Sequence, residues 1–188
     1  MSSIQQESKK SEQELVDEFQ RFLSAHGYIR QAECHFAGDS DVLADVELAL
    51  DGPGWPSEMP DYLLLEAKSH HSEDSPNTIN KAFGQLLKEA NKNTAKRAQR
   101  LHCLGLLIPV DGAQWLNGKG KTVKRRSGIE YYRNGFRRIH ADIFAGFGQL
   151  VNARYVLAFS VQDQYLKVFG WDGFHAGEPP LACLTAAH

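Results

Sequence analysis

Glu66 and Lys68 stand two positions apart at the end of the apolar stretch "DYLLLEAK", residues 61–68. Side chains two residues apart on a β-strand point to the same side, so a carboxylate and an ammonium would share one face. Carboxylate oxygens bind hard divalent cations such as Mg²⁺ or Mn²⁺, and a neighbouring ammonium can contact a phosphate or a water molecule. Together with a second acid, such a pair would suit metal-assisted hydrolysis of a phosphate ester; alone, it could also be an ion pair on a solvated face of the sheet.

A second acid comes from the preceding apolar stretch, "VLADVELAL", which is separated from the first by a Gly- and Pro-rich loop. Antiparallel pairing with Leu50 opposite Asp61 puts Asp45 opposite Glu66 and leaves the other face of both strands apolar. A slip of one residue would send the charges into the core, so the pattern itself favours this register. Directly opposite side chains have Cβ atoms about 5 Å apart, and two carboxylates at that distance need a cation between them.

The N-terminal part of the chain is predicted to begin with an amphipathic helix over residues 11–26. Its apolar residues recur at helical spacing, Ser11 is a candidate N-cap, and Gly27 is a natural C-terminal stop. Glu12 falls on the apolar side of this helix, which is an unusual place for a solvated carboxylate.

The remaining elements are placed by periodicity and by turn residues. We predict a long helix over 77–100, a strand covered on both faces over 101–110, a basic segment without clear period over 117–138, a helix over 139–152, a hairpin of 154–160 and 165–171, and a C-terminal loop. The order favours an α/β fold with a central mixed β-sheet flanked by helices. We expect one domain over 1–188, with its core at about 11–110 and additions at 111–188.

Asp45 on one strand and Glu66-Ala67-Lys68 on the next resemble the motif of the PD-(D/E)XK nuclease superfamily. The resemblance implies a restriction endonuclease-like α/β sandwich with the element order αβββαβ. It implies that Asp45, Glu66 and the main-chain oxygen of Ala67 hold Mg²⁺, for which Mn²⁺ can substitute, and that Lys68 is the catalytic lysine. Ala44 stands where the family motif has its proline.

The same resemblance implies two further site residues on helices. Many members carry a glutamate on the first helix, for which Glu12 is the first candidate and Glu18 the second, and Glu12 is thereby a candidate for an additional metal ligand. Many also carry a glutamine on the helix after the lysine strand, and "AFGQLLKEA" places Gln85 there. The tyrosine that follows this glutamine in some exonuclease branches is replaced by Glu89.

The charge of the chain is unevenly distributed. The net charge is only −2, but residues 1–80 carry 5 Lys/Arg against 16 Asp/Glu, whereas residues 81–138 carry 14 Lys/Arg against 3 Asp/Glu. This asymmetry is typical of an acidic site beside a basic surface. The predicted nucleic-acid contacts are Lys124, Arg125, Arg126, Arg133, Arg137 and Arg138. The interleaved Tyr131, Tyr132 and Phe136 could stack on bases or pack locally against the core.

Composition sets the remaining bounds. With 42% hydrophobic residues and no apolar run near the roughly 20 residues of a membrane span, we expect no membrane association. Three widely spaced cysteines without a CxxC pair favour the reducing cytoplasm.

We therefore expect a cytoplasmic Mg²⁺-dependent nuclease that acts on DNA and leaves 5′-phosphate and 3′-hydroxyl ends, as a possible homodimer. The sequence leaves open RNA as a substrate and internal or terminal cleavage. The alternatives are a binding module of the same fold without catalysis, and an interaction or immunity-type protein whose acidic half mimics nucleic acid.

Overall fold

The computed structural model describes the backbone of residues 2–36, 46–69, 75–91, 101–116 and 122–186. Side chains are described for residues 12–36, 46–69, 78–91, 101–111 and 128–186. Asp45 and residues 92–100 of the predicted long helix lie outside these ranges. Among the described residues, no helix is both long and apolar enough to cross a membrane.

A seven-stranded mixed sheet forms the centre of the fold, in the spatial order β1-β2-β3-β4-β7-β8-β9. The strands are β1 (His35–Phe36), β2 (Val46–Ala49), β3 (Tyr62–Ala67), β4 (His102–Pro109), β7 (Ala153–Ser160), β8 (Tyr165–Gly170) and β9 (Ala182–Thr185). The pairings β3–β4 and β4–β7 are parallel and the others antiparallel. A separate two-stranded ribbon consists of β5 (Gly112–Leu116) and β6 (Thr122–Ser127).

In the described part of the chain, five α-helices accompany the strands: α1 (Ser2–Ala25), α2 (Ser75–Ala90), α3 (Gly128–Phe136), α4 (Ala141–Val151) and α5 (Trp171–Ala176). Up to β4 the described elements follow the expected order αβββαβ, and the α/β class with a mixed sheet flanked by helices is confirmed.

The predicted register of β2 against β3 is confirmed. Val46 pairs with Leu65 and Leu48 with Leu63, and all four side chains are buried in one apolar cluster. The alternation of the two strands allowed this register and no neighbouring one, because the apolar positions of both strands had to share a face.

Each face of the sheet has its own hydrophobic core. On one face α1 packs Leu15, Phe19 and Leu23 against β2 and β3. On the other face α2 to α5 pack aromatic and aliphatic side chains against β4 and β7. Strand β4 lies between the two cores and is buried along its length, as its unbroken apolar sequence predicted.

Two predictions about α1 had different outcomes. The helix begins at Ser2, so Ser11 lies inside it and the predicted N-cap is wrong. The C-terminal stop is confirmed: Gly27 has φ +68°, and the N–H groups of Gly27 and Tyr28 donate to the carbonyl oxygens of Ser24 and Leu23. This pair of hydrogen bonds, with glycine in the left-handed conformation, is the Schellman motif.

The C-terminal third differs most from the sequence-based expectation. The segment without clear period contains strand β6 and helix α3, and the predicted C-terminal loop contains helix α5 and edge strand β9. The helix over 139–152 and the hairpin that follows it are confirmed as α4 and β7–β8.

Candidate active site at the carboxyl end of strand β3

Strand β3 presents Glu66 and Lys68 on one side at its carboxyl end. Glu66 pairs with Leu106 of β4, and the N–H of Lys68 donates to the carbonyl oxygen of Leu107 at 2.9 Å. The backbone ladder therefore extends through both residues and fixes the direction of both side chains. Glu66 is only 4% exposed and Lys68 only 6%.

The Lys68 ammonium lies against a group of oxygen atoms. Its Nζ donates to Glu66 Oε1 at 3.0 Å and to the main-chain oxygen of Ala67 at 2.5 Å, and it approaches Glu12 Oε1 to 4.0 Å. Two of these three oxygens belong to the predicted metal ligands. A carboxylate and a main-chain carbonyl are oxygen donors of the kind that Mg²⁺ prefers, and in this structure both accept hydrogen bonds from the Lys68 ammonium.

Of the two candidate glutamates on α1, the structure brings Glu12 to the site. Glu12 is half-buried, and its Oε2 accepts a hydrogen bond from the N–H of Ser69 at 3.3 Å. Glu18 instead forms a surface ion pair with Arg21 at 2.7 Å. The apolar position of Glu12 in the helical pattern was the signal that distinguished it.

Ser69 is held from a second direction by a residue that sequence reasoning did not assign to the site. The Tyr132 hydroxyl on α3 donates to the Ser69 carbonyl oxygen at 2.5 Å. Tyr132 is fully buried, and burial, with smaller effects of Tyr131 and Glu12, raises its pKa well above the ordinary value of 10. No local pattern could have predicted this contact, which spans 63 residues.

For two predicted site residues, Asp45 and Gln85, the described part of the structure shows no contact with Glu66 or Lys68. Asp45 lies outside the described residues, although the predicted pairing is confirmed up to its neighbour Val46. Gln85 is half-buried on α2, and among the described contacts it makes no hydrogen bond to Glu66 or Lys68. Within the described part of the chain no group of three or more His, Cys, Asp or Glu side chains could hold a metal ion.

The predicted nucleic-acid contacts fall into two groups. Lys124, Arg125 and Arg126 lie on β6, opposite Trp115, Gln114 and Ala113 of β5, and their side chains are outside the described ones. The ribbon follows β4, which runs parallel to β3, so it leaves the sheet at the same end as Lys68.

The other three basic residues lie on or just after α3. Arg133 donates to the carbonyl oxygens of Phe174 and Glu178 at 2.9 and 3.3 Å, and Arg137 to those of His175 and Ala176 at 3.1 and 3.0 Å. Both thus bind carbonyl oxygens of α5, and Arg133 also binds that of Glu178 beyond it. Arg138 is exposed, and its position suits contact with a phosphate.

The aromatic residues of the same segment pack locally. Tyr131, Tyr132 and Phe136 are at most 3% exposed and belong to the core beneath α3. Of the two interpretations that the sequence left open, the structure therefore supports core packing over stacking on bases.

The chain matches no protein-family model, no curated protein and no solved structure. The arrangement of its own residues is therefore what carries a functional interpretation.

Proposed function

We propose that the protein is a Mg²⁺-dependent nuclease that hydrolyses phosphodiester bonds, with DNA as its substrate. The observation that carries the proposal is the buried pair of Glu66 and Lys68 with the Ala67 carbonyl oxygen at the carboxyl end of β3. Burying an ion pair costs desolvation free energy that an apolar pair would not, and such a cost is typical of sites where the charges have a task.

In this proposal, Asp45, Glu66 and the Ala67 carbonyl oxygen hold the ion. An ion held by these residues would supply polarisation of the phosphate and a lower pKa of the attacking water. Lys68 places its ammonium beside a non-bridging phosphate oxygen and stabilises the negative charge that grows in the transition state. Glu12, 4.0 Å from the ammonium, attracts it and helps to hold Lys68 at the site. Gln85 orients the substrate or the water.

The basic residues support a polyanionic substrate. Lys124, Arg125 and Arg126 of β6 and the exposed Arg138 would neutralise backbone phosphates. The ribbon leaves the sheet at the same end as Lys68, so a duplex bound along it would pass the proposed catalytic group.

A digestion panel tests the proposal. Supercoiled, linear, single-stranded, branched and methylated DNA, together with RNA, are incubated with the protein in Mg²⁺, in Mn²⁺ or in EDTA. We expect cleavage of at least one DNA substrate in Mg²⁺, none in EDTA, and product ends that carry 5′-phosphates. Two variants distinguish this activity from a contaminating nuclease. Glu66→Gln should lose cleavage, whereas Glu14→Gln, which changes an exposed glutamate of α1, should keep it.

The alternatives give different outcomes. Binding of DNA that weakens with salt but without cleavage would indicate a binding module of the same fold. Absence of DNA binding at any salt concentration would indicate an interaction or immunity-type protein, and would contradict the proposal.

A further inference from the structure

Ser69, the residue after Lys68, is oriented by side chains from two helices. The ladder between β3 and β4 extends to the bond from Lys68 N–H to Leu107. Beyond it, the Ser69 N–H donates to Glu12 of α1, and the Ser69 carbonyl oxygen accepts from Tyr132 of α3. The peptide units on both sides of Ser69 are thus held from opposite faces of the sheet.

Helix α3 is a firm support for this contact. At its first residue, Gly128, a Cβ atom would lie 1.7 Å from the Pro109 carbonyl oxygen, so the helix start packs tightly against the end of β4. The Tyr132 ring lies 5.0 Å from the ring of Tyr131 and 6.1 Å from that of Phe136. A wholly buried ring with such neighbours has one orientation, and its hydroxyl has one direction in which to donate.

The protonation state of Tyr132 suits the same role. Because burial raises its pKa well above 10, the phenol stays protonated throughout the neutral range and remains a hydrogen-bond donor. A phenolate would repel the Ser69 carbonyl oxygen and Glu12.

We propose that Tyr132 is a positioning residue of the candidate active site, which acts by holding the Ser69 carbonyl and thereby the direction of the chain at Lys68. The inference rests on the proposed function for its kinetic consequence, but its structural part concerns Lys68 alone. A reacting group displaced by about 1 Å can lose on the order of 100-fold in rate, so a single hydrogen bond next to the lysine can control turnover.

The test is Tyr132→Phe, with Tyr131→Phe as the matched control. Both substitutions remove one buried hydroxyl from the same helix and keep the ring, but only the first removes the bond to Ser69. For Tyr132→Phe we expect kcat of DNA cleavage to fall about 10- to 100-fold while KM and DNA affinity stay unchanged. Tyr131→Phe should keep the wild-type kcat.

A second readout does not depend on activity. The ¹⁵Nζ resonance of Lys68 should move in Tyr132→Phe and stay in place in Tyr131→Phe, because only the first change releases the chain beside it. If the resonance moves equally in both variants or in neither, the positioning role is wrong.

The two proposals fail in distinguishable ways. A wild-type protein that cuts no nucleic acid would overturn the nuclease function and leave the resonance test to decide the role of Tyr132. An active wild type with unchanged kcat in Tyr132→Phe would overturn the positioning role and leave the nuclease function standing.

Discussion

Two regions of the molecule hold cations against main-chain oxygens, and they do so for different reasons. In the first, Arg133 and Arg137 of α3 donate to carbonyl oxygens of α5 and of Glu178 just beyond it. The last carbonyls of a helix have no partner within the helix, and a cation near a helix C-terminus is favourable. These arginines therefore meet a need that the fold itself creates.

In the second region, Lys68 donates to Glu66 and to the Ala67 carbonyl oxygen at the end of a strand. Among the residues that the structure describes, no helix ends there, and an apolar pair would fill the same space without the cost of removing two charges from water. The comparison teaches that burial of charge alone does not indicate function. A buried charge that no structural need explains is the better indicator, and Lys68 meets this criterion whereas Arg133 does not.

The largest expected difference between the two regions is in catalysis, where Glu66→Gln should abolish DNA cleavage. The change keeps the shape of the side chain and removes the charge that would hold the ion. Loss of metal-dependent charge stabilisation is worth several kcal/mol, or on the order of 1000-fold in rate. The rate of DNA cleavage in Mg²⁺ measures it, with Glu14→Gln as the control. Equal rates in the two variants would remove Glu66 from the mechanism.

The next effect is on stability, in the arginine region. Arg133→Ala removes two charge-assisted hydrogen bonds and the packing of the guanidinium over the rings of Phe169 and Phe174, at 5.4 and 5.0 Å. We expect the free energy of unfolding in urea to fall by about 1.5–3 kcal/mol, while cleavage per folded molecule is retained. Arg138 is exposed, so Arg138→Ala should change the free energy of unfolding by less than about 0.5 kcal/mol. Weakened DNA binding with unchanged stability in Arg133→Ala would reverse the assignment of this residue.

A smaller effect concerns competition between the lysine and the ion. Because the ammonium lies against Glu66 and Ala67, which are proposed metal ligands, an ion must displace it. Lys68→Met removes the ammonium from these oxygens, so Mg²⁺ should raise the melting temperature of this variant more than that of the wild type. Each kcal/mol of additional binding free energy corresponds to about 2–4 °C. Lys88→Met, at an exposed position of α2, should behave as the wild type. A smaller shift in Lys68→Met would mean that the ammonium does not occupy the site of the ion.

The sequence predicted the parts of the site that depend on local periodicity. Alternation in two strands was enough to place Glu66 and Lys68 on one side and to set the register of β2 against β3. The helical stripe was enough to single out Glu12. Each of these inferences uses only neighbours along one element and the need to bury one face.

Other features depend on contacts between distant segments and were missed. The edge strand β9 is short and mostly exposed, so it has no alternation to detect. The segment with Tyr132 is basic and contains glycines, so its sequence did not predict helix α3. The aromatic side chains of that helix are buried by tertiary packing. The hydrogen bond from Tyr132 to Ser69 joins residues 63 positions apart, so it forms only when α3 packs on its face of the sheet.

The most direct test of the central claim is cleavage of plasmid DNA by wild type and Lys68→Ala, measured in Mg²⁺ beside a gel-shift titration of the same DNA in Ca²⁺. If Lys68 is the catalytic lysine, the variant binds DNA as the wild type does and cuts it at least about 100-fold more slowly. Cleavage by Lys68→Ala at the wild-type rate would contradict the account.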